Sequence, residues 1–523
     1  MMILVILVVF ILSVVPSIQA QPDAYFVHYG AEDGLPQHTI TDILQDQNGF
    51  MWFSTWDGLC RFDGYTFTTY HLPGSADIAS QSSRIDHLFE DRYRNIWVLT
   101  YDNHAYRFNV QTWDFTGTGA IPDLGGYPFT ASGIIPTPNG NVWLLSEQDG
   151  CIMVSDSLFN ATVFHPLKQN LTDSRVNRVF EDSEGNCWIL TGGGLTFLKS
   201  GSKVPLFYFH ASTQTVYESE YPFFCATELE KEIWFGTANG LIWRYDKKRE
   251  TFQPLYTGLT SDVISINVIS TEKIAIVSSL SGFIIYNAYD GSMEVYNHQT
   301  LPEMNSCQIF TCYVDGSRNL WIETDQLGVG KFNPYTRQYR HFRPYIESAE
   351  TSVFPPNFFI FEDRKDRLWV HPRGGGFSLY DRLEDQLVPF YNEPFSSSWM
   401  FSNMMHAAYS DRQGNLWMCT RSHGLEKVIF FDDTQFRSIL LNHNIHSTIC
   451  NDVRPIFEDS NHYIWVGTKD GNIHVYSSAM KEIGILNDRG EIGEGNPIKG
   501  IAYCITEDSK KNIWIGTKGE GVD

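Results

Sequence analysis

The sequence has few positive charges. Its 523 residues include 38 Lys and Arg against 61 Asp and Glu, a formal net charge of −23 at pH 7. A nucleic-acid-binding surface needs a basic stripe that neutralises backbone phosphates. This charge balance therefore argues against nucleic acid as a partner.

Signatures of metal, redox and phosphate sites are also scarce. The nine cysteines include no CxxC pair, which excludes the usual zinc-ribbon and thiol-redox motifs. His443 and His446 have no partner cluster in the sequence. The glycine runs at Gly192–Gly194 and Gly374–Gly376 are not followed by Lys-Ser/Thr and open no predicted helix, so they are not P-loops. We expect no metal site and no cofactor.

Long apolar runs are confined to the N-terminus. The stretch from Met2 to Val15 is apolar, and Pro16 and the small residue Ala20 follow it. This pattern predicts a signal peptide over residues 1–20, with an uncleaved N-terminal anchor as the alternative. Either interpretation places the rest of the chain outside the cytoplasm, in the periplasm or beyond. No other run approaches the roughly 20 residues that span a bilayer.

What the sequence does contain is a repeat. A tryptophan recurs at intervals of 45 to 49 residues, and the one longer interval divides at Ala275, which takes the tryptophan position. Such a period indicates a repeat architecture, here with eleven units. We expect the ring at each position to form the core of its unit. The ten tryptophans are Trp52, Trp97, Trp143, Trp188, Trp234, Trp321, Trp369, Trp417, Trp465 and Trp514.

Each unit reads as short strands joined by tight turns. In Val179–Leu198, an acid lies six residues before the tryptophan, an asparagine two before it, a threonine three after it, and glycines follow. Asp, Asn and Gly favour turns. A further strand-like segment precedes each hairpin, giving four strands per unit. The sequence therefore predicts an all-β fold of the β-propeller class.

The unit "ED..GN.W.GT..GL" resembles the two-component regulator propeller repeat, and Tyr29–Phe67 is similar to the first blade of that family. The family is typical of the sensor regions of hybrid two-component systems in gut Bacteroidetes. The resemblance implies two seven-bladed propellers, followed in full-length relatives by a membrane anchor and a histidine kinase. No kinase sequence lies within this chain, so we expect no enzyme activity of its own.

From the unit count, we expect a seven-bladed propeller over residues 21–338 and four blades of a second one over residues 339–523. The final stretch, Asn512–Asp523, stops after a second hairpin turn, so we expect the blade to continue beyond it. We also expect Tyr25–Tyr29 to pair with the last blade of the first ring near Gly328–Asn333, because this would cover an open sheet edge.

Candidate ligand contacts lie where units depart from the repeat. They are His104 in TYDNHAYRF, His371 and Arg373 in VHPRGGGF, and Arg421 and His423 in TRSHGL. The recurrent acid is expected to be scaffold, because it stands in nearly every unit and no two acids are set apart as the carboxylate pair of a glycosidase.

The combined prediction is an extracytoplasmic sensor region that recognises an oligosaccharide or another small ligand and regulates glycan utilisation. Its expected partner is the kinase region or a separate protein, and a homodimer is also possible. Two alternatives remain open. One is a secreted propeller that binds without signalling, and the other is a carbohydrate-active propeller enzyme, suggested by the likeness of the acidic turn to the Asp-box of sialidases.

Overall fold

The computed structural model describes residues 24–73, 83–125, 128–156, 158–210, 222–344, 358–390, 405–420, 424–430, 449–478, 481–493 and 496–522. The predicted signal peptide lies outside these residues. The chain divides into two compact units, Met1–Phe430 (unit 1) and Phe431–Asp523 (unit 2).

The described residues of unit 1 form nine four-stranded antiparallel sheets. The N-terminal strand is β1 (Ala24–Tyr29). Sheet 1 contains β2 (Ile40–Gln45), β3 (Met51–Thr55), β4 (Gly58–Phe62) and β5 (Phe67–Tyr70). Sheet 2 contains β6 (Ile85–Glu90), β7 (Ile96–Thr100), β8 (Ala105–Asn109) and β9 (Asp114–Gly117). Sheet 3 contains β10 (Gly133–Pro136), β11 (Val142–Leu145), β12 (Cys151–Val154) and β13 (Ala161–Phe164).

The next three sheets follow the same order. Sheet 4 contains β14 (Val176–Glu181), β15 (Cys187–Thr191), β16 (Gly194–Leu198) and β17 (Leu206–Tyr208). Sheet 5 contains β18 (Phe223–Glu228), β19 (Glu232–Thr237), β20 (Leu241–Asp246) and β21 (Thr251–Tyr256). Sheet 6 contains β22 (Val263–Val268), β23 (Lys273–Ser278), β24 (Phe283–Asn287) and β25 (Met293–Tyr296).

The last three sheets of unit 1 end with the one that β1 completes. Sheet 7 contains β26 (Ile309–Val314), β27 (Leu320–Thr324), β28 (Val329–Asn333) and β29 (Gln338–Phe342). Sheet 8 contains β30 (Phe359–Glu362), β31 (Leu368–His371), β32 (Ser378–Asp381) and β33 (Gln386–Pro389). Sheet 9 contains β34 (Met405–Ser410), β35 (Leu416–Thr420) and β36 (Leu425–Phe430), with β1 as its fourth strand.

Unit 2 contributes two more sheets. Sheet 10 contains β37 (Val453–Glu458), β38 (Ile464–Thr468), β39 (Ile473–Tyr476) and β40 (Glu482–Ile485), and sheet 11 contains β41 (Ile501–Glu507), β42 (Ile513–Lys518) and β43 (Gly521–Val522). Among the described residues of unit 1, five short 3₁₀ turns lie between strands, at Ala31–Asp33, Thr118–Ala120, Pro122–Leu124, Pro166–Lys168 and Ala238–Gly240. The structure confirms the predicted all-β class built from four-stranded sheets.

The nine sheets of unit 1 pack face to face in a closed series. Each pair of neighbouring sheets shares a buried hydrophobic cluster, and one such cluster joins sheet 9 to sheet 1 through Trp417, Leu425 and Phe53. Nine of the ten marker tryptophans are at most 7% exposed. Trp514 in sheet 11 is 46% exposed and differs in this from the core position expected for it.

In eight repeats the acid of the turn is bonded to the tryptophan of the same repeat. In sheet 4, Trp188 Nε1 donates to Asp182 Oδ2 at 3.0 Å, while the backbone N–H of Asn186 donates to Asp182 Oδ1 at 2.9 Å. One carboxylate thus closes the turn and pairs the buried indole. The same indole–carboxylate bond occurs from Trp52, Trp97, Trp321, Trp369, Trp417, Trp465 and Trp514 to Asp46, Asp91, Asp315, Asp363, Asp411, Asp459 and Asp508.

The residue before that acid links neighbouring sheets. Glu90 of sheet 2 accepts the N–H of Gln47 in sheet 1 at 2.9 Å, and Glu362 of sheet 8 accepts the N–H of Gly316 in sheet 7 at 2.9 Å. Gln45 of sheet 1 has the same place in the repeat, and its partner is the N–H of Arg412 in sheet 9 at 2.8 Å. This polar link therefore also crosses the junction between the last sheet and the first.

The ring closure differs from the sequence-based expectation. β1 pairs with β36, with Tyr25 opposite Ile429 and Tyr29 opposite Leu425. The expected pairing near Gly328–Asn333 is wrong, because β28 already pairs with β27 and with its own fourth strand, β29. The expected boundary between residues 338 and 339 falls inside β29, and unit 1 contains nine described sheets where seven were predicted.

Candidate ligand-binding cavity

Unit 1 contains a cavity of about 870 Å³ whose walls come mainly from the first strands of sheets 8 and 9. His87 on β6 and Glu323 on β27 also line it, together with Arg373. First strands of successive sheets lie side by side: Thr41 Oγ1 of β2 donates to the carbonyl of Ile85 in β6 at 2.5 Å. The cavity therefore lies where the innermost strands of the ring approach one another.

A β-bulge changes the direction of side chains on many of these inner strands. In β6 the register shifts between Ile85 and His87, and in β34 it shifts between Met405 and Ala407. A bulge inserts an extra residue and re-aims its neighbours. In β34 the extra residue is His406, which lines the cavity.

Arg373 is the most strongly constrained cation of the cavity. Its Nη1 donates to Glu323 Oε1 at 3.1 Å, and its guanidinium carbon lies 4.8 Å from the centre of the Phe310 ring. Its backbone N–H donates to the carbonyl of Gly328 at 3.2 Å, and the N–H of Gly328 donates to its carbonyl at 2.6 Å. These contacts fix Arg373 of sheet 8 against sheet 7 and hold the guanidinium in place.

The charge on Glu323 depends on this pairing. Burial raises the pKa of Glu323 above its usual value, whereas the hydrogen bond and the positive charge of Arg373 lower it. Arginine has five N–H donors and no acceptor. After one bond to Glu323, Arg373 retains donors that suit hydroxyl or carbonyl oxygens of a ligand.

Two further polar groups lie on the wall. The pKa of His87 is raised chiefly by the Asp42 carboxylate, whose Oδ2 lies 3.6 Å from His87 Nδ1. Ser410 Oγ is buried and has no hydrogen-bond partner among the described residues. Aromatic rings of Phe359, Phe361 and Tyr409 line the same cavity. The wall therefore combines apolar rings with a few polar groups, as small-molecule sites do.

The structure separates the five candidate ligand contacts. Arg373 lines the cavity. His371, expected to contact a ligand, is fully buried, because it ends β31, whose residues are all buried, and its ring stacks 4.9 Å from Phe359. His104 lies at the turn between β7 and β8, with Nδ1 3.3 Å from Asp102 Oδ1, and does not line the cavity. Arg421 and His423 lie outside the described residues.

Sequence reasoning missed Glu323, Phe310, His87 and Ser410. These residues lie within strand segments that match the repeat, so they do not appear as departures from it. A signal was present at Glu323, which is a carboxylate at a position where other units carry apolar residues such as Leu190 and Leu99. The bulges that direct the inner side chains leave no comparable mark in a single sequence.

The described part of the chain was searched for metal-binding clusters and for membrane-spanning helices. No group of three or more His, Cys, Asp or Glu side chains there is arranged to hold a metal ion. None of the helical segments in the same ranges has the length and hydropathy needed to cross a membrane.

Comparison with known proteins gives one repeat family. The two-component regulator propeller model matches residues 34–57 and 497–519. A histidine kinase P4 of Formosa agariphila is 21% identical over 508 residues, which cover 93% of this chain. The match spans 32% of that relative, so the chain corresponds to about a third of its length.

The solved structures that match this chain include two extracellular domains. One is the extracellular domain of a proposed hybrid two component system from B. thetaiotaomicron, with 20% identity and a TM-score of 0.34 over 96% of this chain and 71% of that one. Another extracellular domain of the same description and organism has 15% identity and a TM-score of 0.36, over 96% of this chain and 65% of that one.

Proposed function

We propose that this chain, which matches the two-component regulator propeller model at residues 34–57 and 497–519, is the extracytoplasmic ligand-sensing region of a hybrid two-component signalling system, with an oligosaccharide as its ligand. The observation that carries the ligand proposal is the cavity around Arg373 and Glu323. The likeness to a histidine kinase and to extracellular two-component domains supports the signalling part.

The size and lining of the cavity suit a short glycan. Its volume of about 870 Å³ lies within the range of small-molecule sites, roughly 300–1,000 Å³. A sugar ring presents hydroxyl groups at its edge and C–H groups on its faces. The polar groups of Arg373, His87 and Ser410 can bond the hydroxyls, while the rings of Phe359 and Tyr409 can pack against the faces.

The positions of the recurrent acids favour a binding protein over a glycoside hydrolase. In eight repeats the acid of the turn is bonded to its own tryptophan indole, as Asp182 is to Trp188. A glycosidase needs two carboxyl groups on either side of one bond. The acids that resemble an Asp-box are therefore committed to the fold.

Calorimetry tests the ligand proposal. The purified chain is titrated with a panel of neutral, uronate-containing and sulfated oligosaccharides. We expect at least one to bind, and we expect Arg373→Ala to weaken that binding by at least tenfold, about 1.4 kcal/mol. Arg337→Ala is the matched control, because Arg337 also pairs with a glutamate, Glu294, but does not line the cavity.

Binding that is equally strong in Arg373→Ala would contradict the assignment to the cavity, and binding of none of these glycans would contradict the ligand class. The signalling part has its own test. Deletion of the gene should abolish transcriptional induction by the glycan that binds. Unchanged induction would instead support a binding module without signalling.

A further inference from the structure

A second exposed cluster lies on sheets 1 and 2 and consists of Trp56, Arg84 and Tyr101. The guanidinium carbon of Arg84 lies 4.9 Å from the centre of the Trp56 ring and 4.2 Å from the centre of the Tyr101 ring. Trp56 is 36% exposed and Tyr101 is 61% exposed. We call this cluster the aromatic platform.

The backbone holds the platform together. The N–H of Tyr101 donates to the carbonyl of Arg84 at 3.0 Å, and Ser83 Oγ donates to the carbonyl of Trp56 at 2.9 Å. Arg84 Nε also donates to Asp86 Oδ1 at 2.7 Å. These bonds therefore hold the two turns against Ser83 and Arg84 before any ligand arrives.

Aromatic residues at this position are peculiar to sheets 1 and 2. Trp56 and Tyr101 both stand four residues after the marker tryptophan, in the turn between the second and third strands. The next five units carry non-aromatic residues there: Glu147, Gly192, Ala238, Ser279 and Asp325. The turn therefore forms in these units without a large ring at this position.

The platform lies on the same arc of the ring as the cavity. Arg373 stands at the same repeat position in sheet 8. Because β1 completes sheet 9 and sheet 9 packs against sheet 1, sheets 8, 9, 1 and 2 are consecutive. On β6, Asp86 binds Arg84 of the platform, and the next residue, His87, lines the cavity.

We propose that Trp56 and Tyr101, held by Arg84, form a carbohydrate-stacking subsite that continues the cavity and binds neutral pyranose residues of a longer glycan. This proposal rests on the proposed function, because the cavity would bind one part of the oligosaccharide and the platform would bind another part of it. Exposed aromatic faces pack against the C–H faces of sugar rings, and the N–H groups of Arg84 can donate to hydroxyls.

Charge selects neutral sugars. Arg84 is paired with Asp86, and Arg373 is paired with Glu323, so neither cation is left to attract an anion. The chain carries a formal net charge of −23, which repels acidic glycans over longer distances. We therefore expect the platform to recognise a glycan through its hydroxyl groups and not through an ionic attraction.

The experiment uses the full chain and three series of oligosaccharides, cello-, xylo- and galacturono-oligosaccharides, each from di- to hexasaccharide. We expect affinity for a neutral series to rise with length in the natural protein. In Trp56→Ala/Tyr101→Ala the long members should bind on the order of tenfold more weakly, while the disaccharide is unaffected. Trp56→Phe/Tyr101→Phe should restore the length dependence.

Tyr65→Ala is the control, since Tyr65 is 92% exposed in another turn of sheet 1. Tryptophan fluorescence gives a second readout, because a stacked sugar should change emission in the natural protein and not in Trp56→Phe.

Each outcome separates the two proposals. Binding that depends on Arg373 but not on Trp56 or Tyr101 overturns the platform and leaves the proposed function. Binding that depends on Trp56 and Tyr101 but not on Arg373 contradicts the assignment to the cavity, and with it the platform as a continuation of that cavity. Preference for the galacturonate series, or no glycan-induced change in Trp56-dependent emission, overturns the platform as described.

Discussion

Gln45 and Arg412 lie 367 residues apart and are joined by a hydrogen bond of 2.8 Å from the backbone N–H of Arg412 to Gln45 Oε1. Arg412 also donates through Nη1 to the carbonyl of Gln47 at 3.1 Å. Elsewhere in the chain a glutamate makes the first of these contacts between neighbouring sheets, as Glu507 does with Ser460 at 2.7 Å. The junction of sheets 9 and 1 therefore uses the same polar contact as a junction between sequential repeats.

A designed disulfide tests this closure. Tyr25 and Ile429 are directly opposite on β1 and β36, and both are half-buried. Opposed residues of antiparallel strands have Cα separations of about 4.5–5.5 Å, which a disulfide can bridge. We expect Tyr25→Cys/Ile429→Cys to form a cross-link, seen as a faster-migrating band on a non-reducing gel. Tyr25→Cys/Lys331→Cys, which tests the pairing predicted from the sequence, should remain reduced.

The scaffold role of the repeat acid predicts a large effect on stability. Asp182→Ala removes the bonds to Trp188 Nε1 and to the N–H of Asn186, and leaves both donors buried. Loss of hydrogen bonds to a buried charged group should lower the free energy of unfolding of unit 1 by about 3 kcal/mol, measured by urea denaturation. Asp508→Ala is the control and should cost less, because its partner Trp514 is half exposed. Equal effects would count against burial as the cause.

The junction between sheets 7 and 8 predicts measurable coupling. Lys331 and Arg340 of sheet 7 both donate to Asp385 in the β32–β33 turn of sheet 8, and Tyr380 donates to the same carboxylate at 2.7 Å. Burial raises the pKa of Asp385, but these hydrogen bonds leave it below its usual value. A double-mutant cycle of Lys331→Met and Asp385→Asn should give a coupling of about 1–2 kcal/mol in unfolding free energy.

The exposed pair Arg337 and Glu294, which joins sheets 7 and 6, should couple by less than about 1 kcal/mol in the same assay. No coupling between Lys331 and Asp385 would place a break between sheets 7 and 8, near the boundary predicted from the sequence.

The pairing of His28 with Glu426 predicts a dependence of stability on pH. His28 Nδ1 is 2.5 Å from Glu426 Oε1, on the paired strands β1 and β36. The hydrogen bond to Glu426 raises the pKa of His28 above 6.5, with smaller contributions from Glu32 and Asp33. Burial raises the pKa of Glu426, while the bond to His28 lowers it. The folded state thus binds protons at both sites more tightly than the unfolded state does.

Stability contributed by His28 is therefore complete below pH 6.5 and is lost as the pH rises through the raised pKa. We expect the melting temperature of His28→Gln to fall furthest below that of the natural protein under pH 6.5, and the difference to shrink toward pH 9. In the Glu426→Gln background, the same comparison should show a much smaller dependence on pH, because only the weaker contributions of Glu32, Asp33 and burial remain. A difference that grows with pH would contradict the pairing.

The local structure could be predicted from the sequence, whereas the ring closure could not. Asp182, Asn186 and Trp188 are close in the chain, so their spacing alone specifies a turn beside a buried ring. The partner of β1 is a long-range choice among strands of nearly the same composition, and β28 and β36 are both strands of the kind that β1 could extend. The strand that β1 can join is the one whose unit does not supply its own fourth strand. Sheet 7 does supply one, Gln338–Phe342, so β28 has no open edge for β1.

The candidate site shows the same limit. Arg373 was identified because it departs from the repeat, whereas Glu323 and Phe310 reach it from the neighbouring sheet and belong to regular strands. His371 also departs from the repeat, but it is paired opposite Phe359 in a strand whose residues are all buried, and its ring stacks on the Phe359 ring. A departure marks a position as unusual, and only packing decides whether that position faces a ligand or the core.

The antiparallel register of β1 has a mechanical consequence. Ala24 lies directly opposite Phe430, so the chain enters sheet 9 and leaves it at the same end of one strand pair. Tension applied between these two residues would load the hydrogen bonds between β1 and β36 one after another instead of all at once. The ring would then be peeled open at one place under a small force, with sheets 1 to 8 still folded.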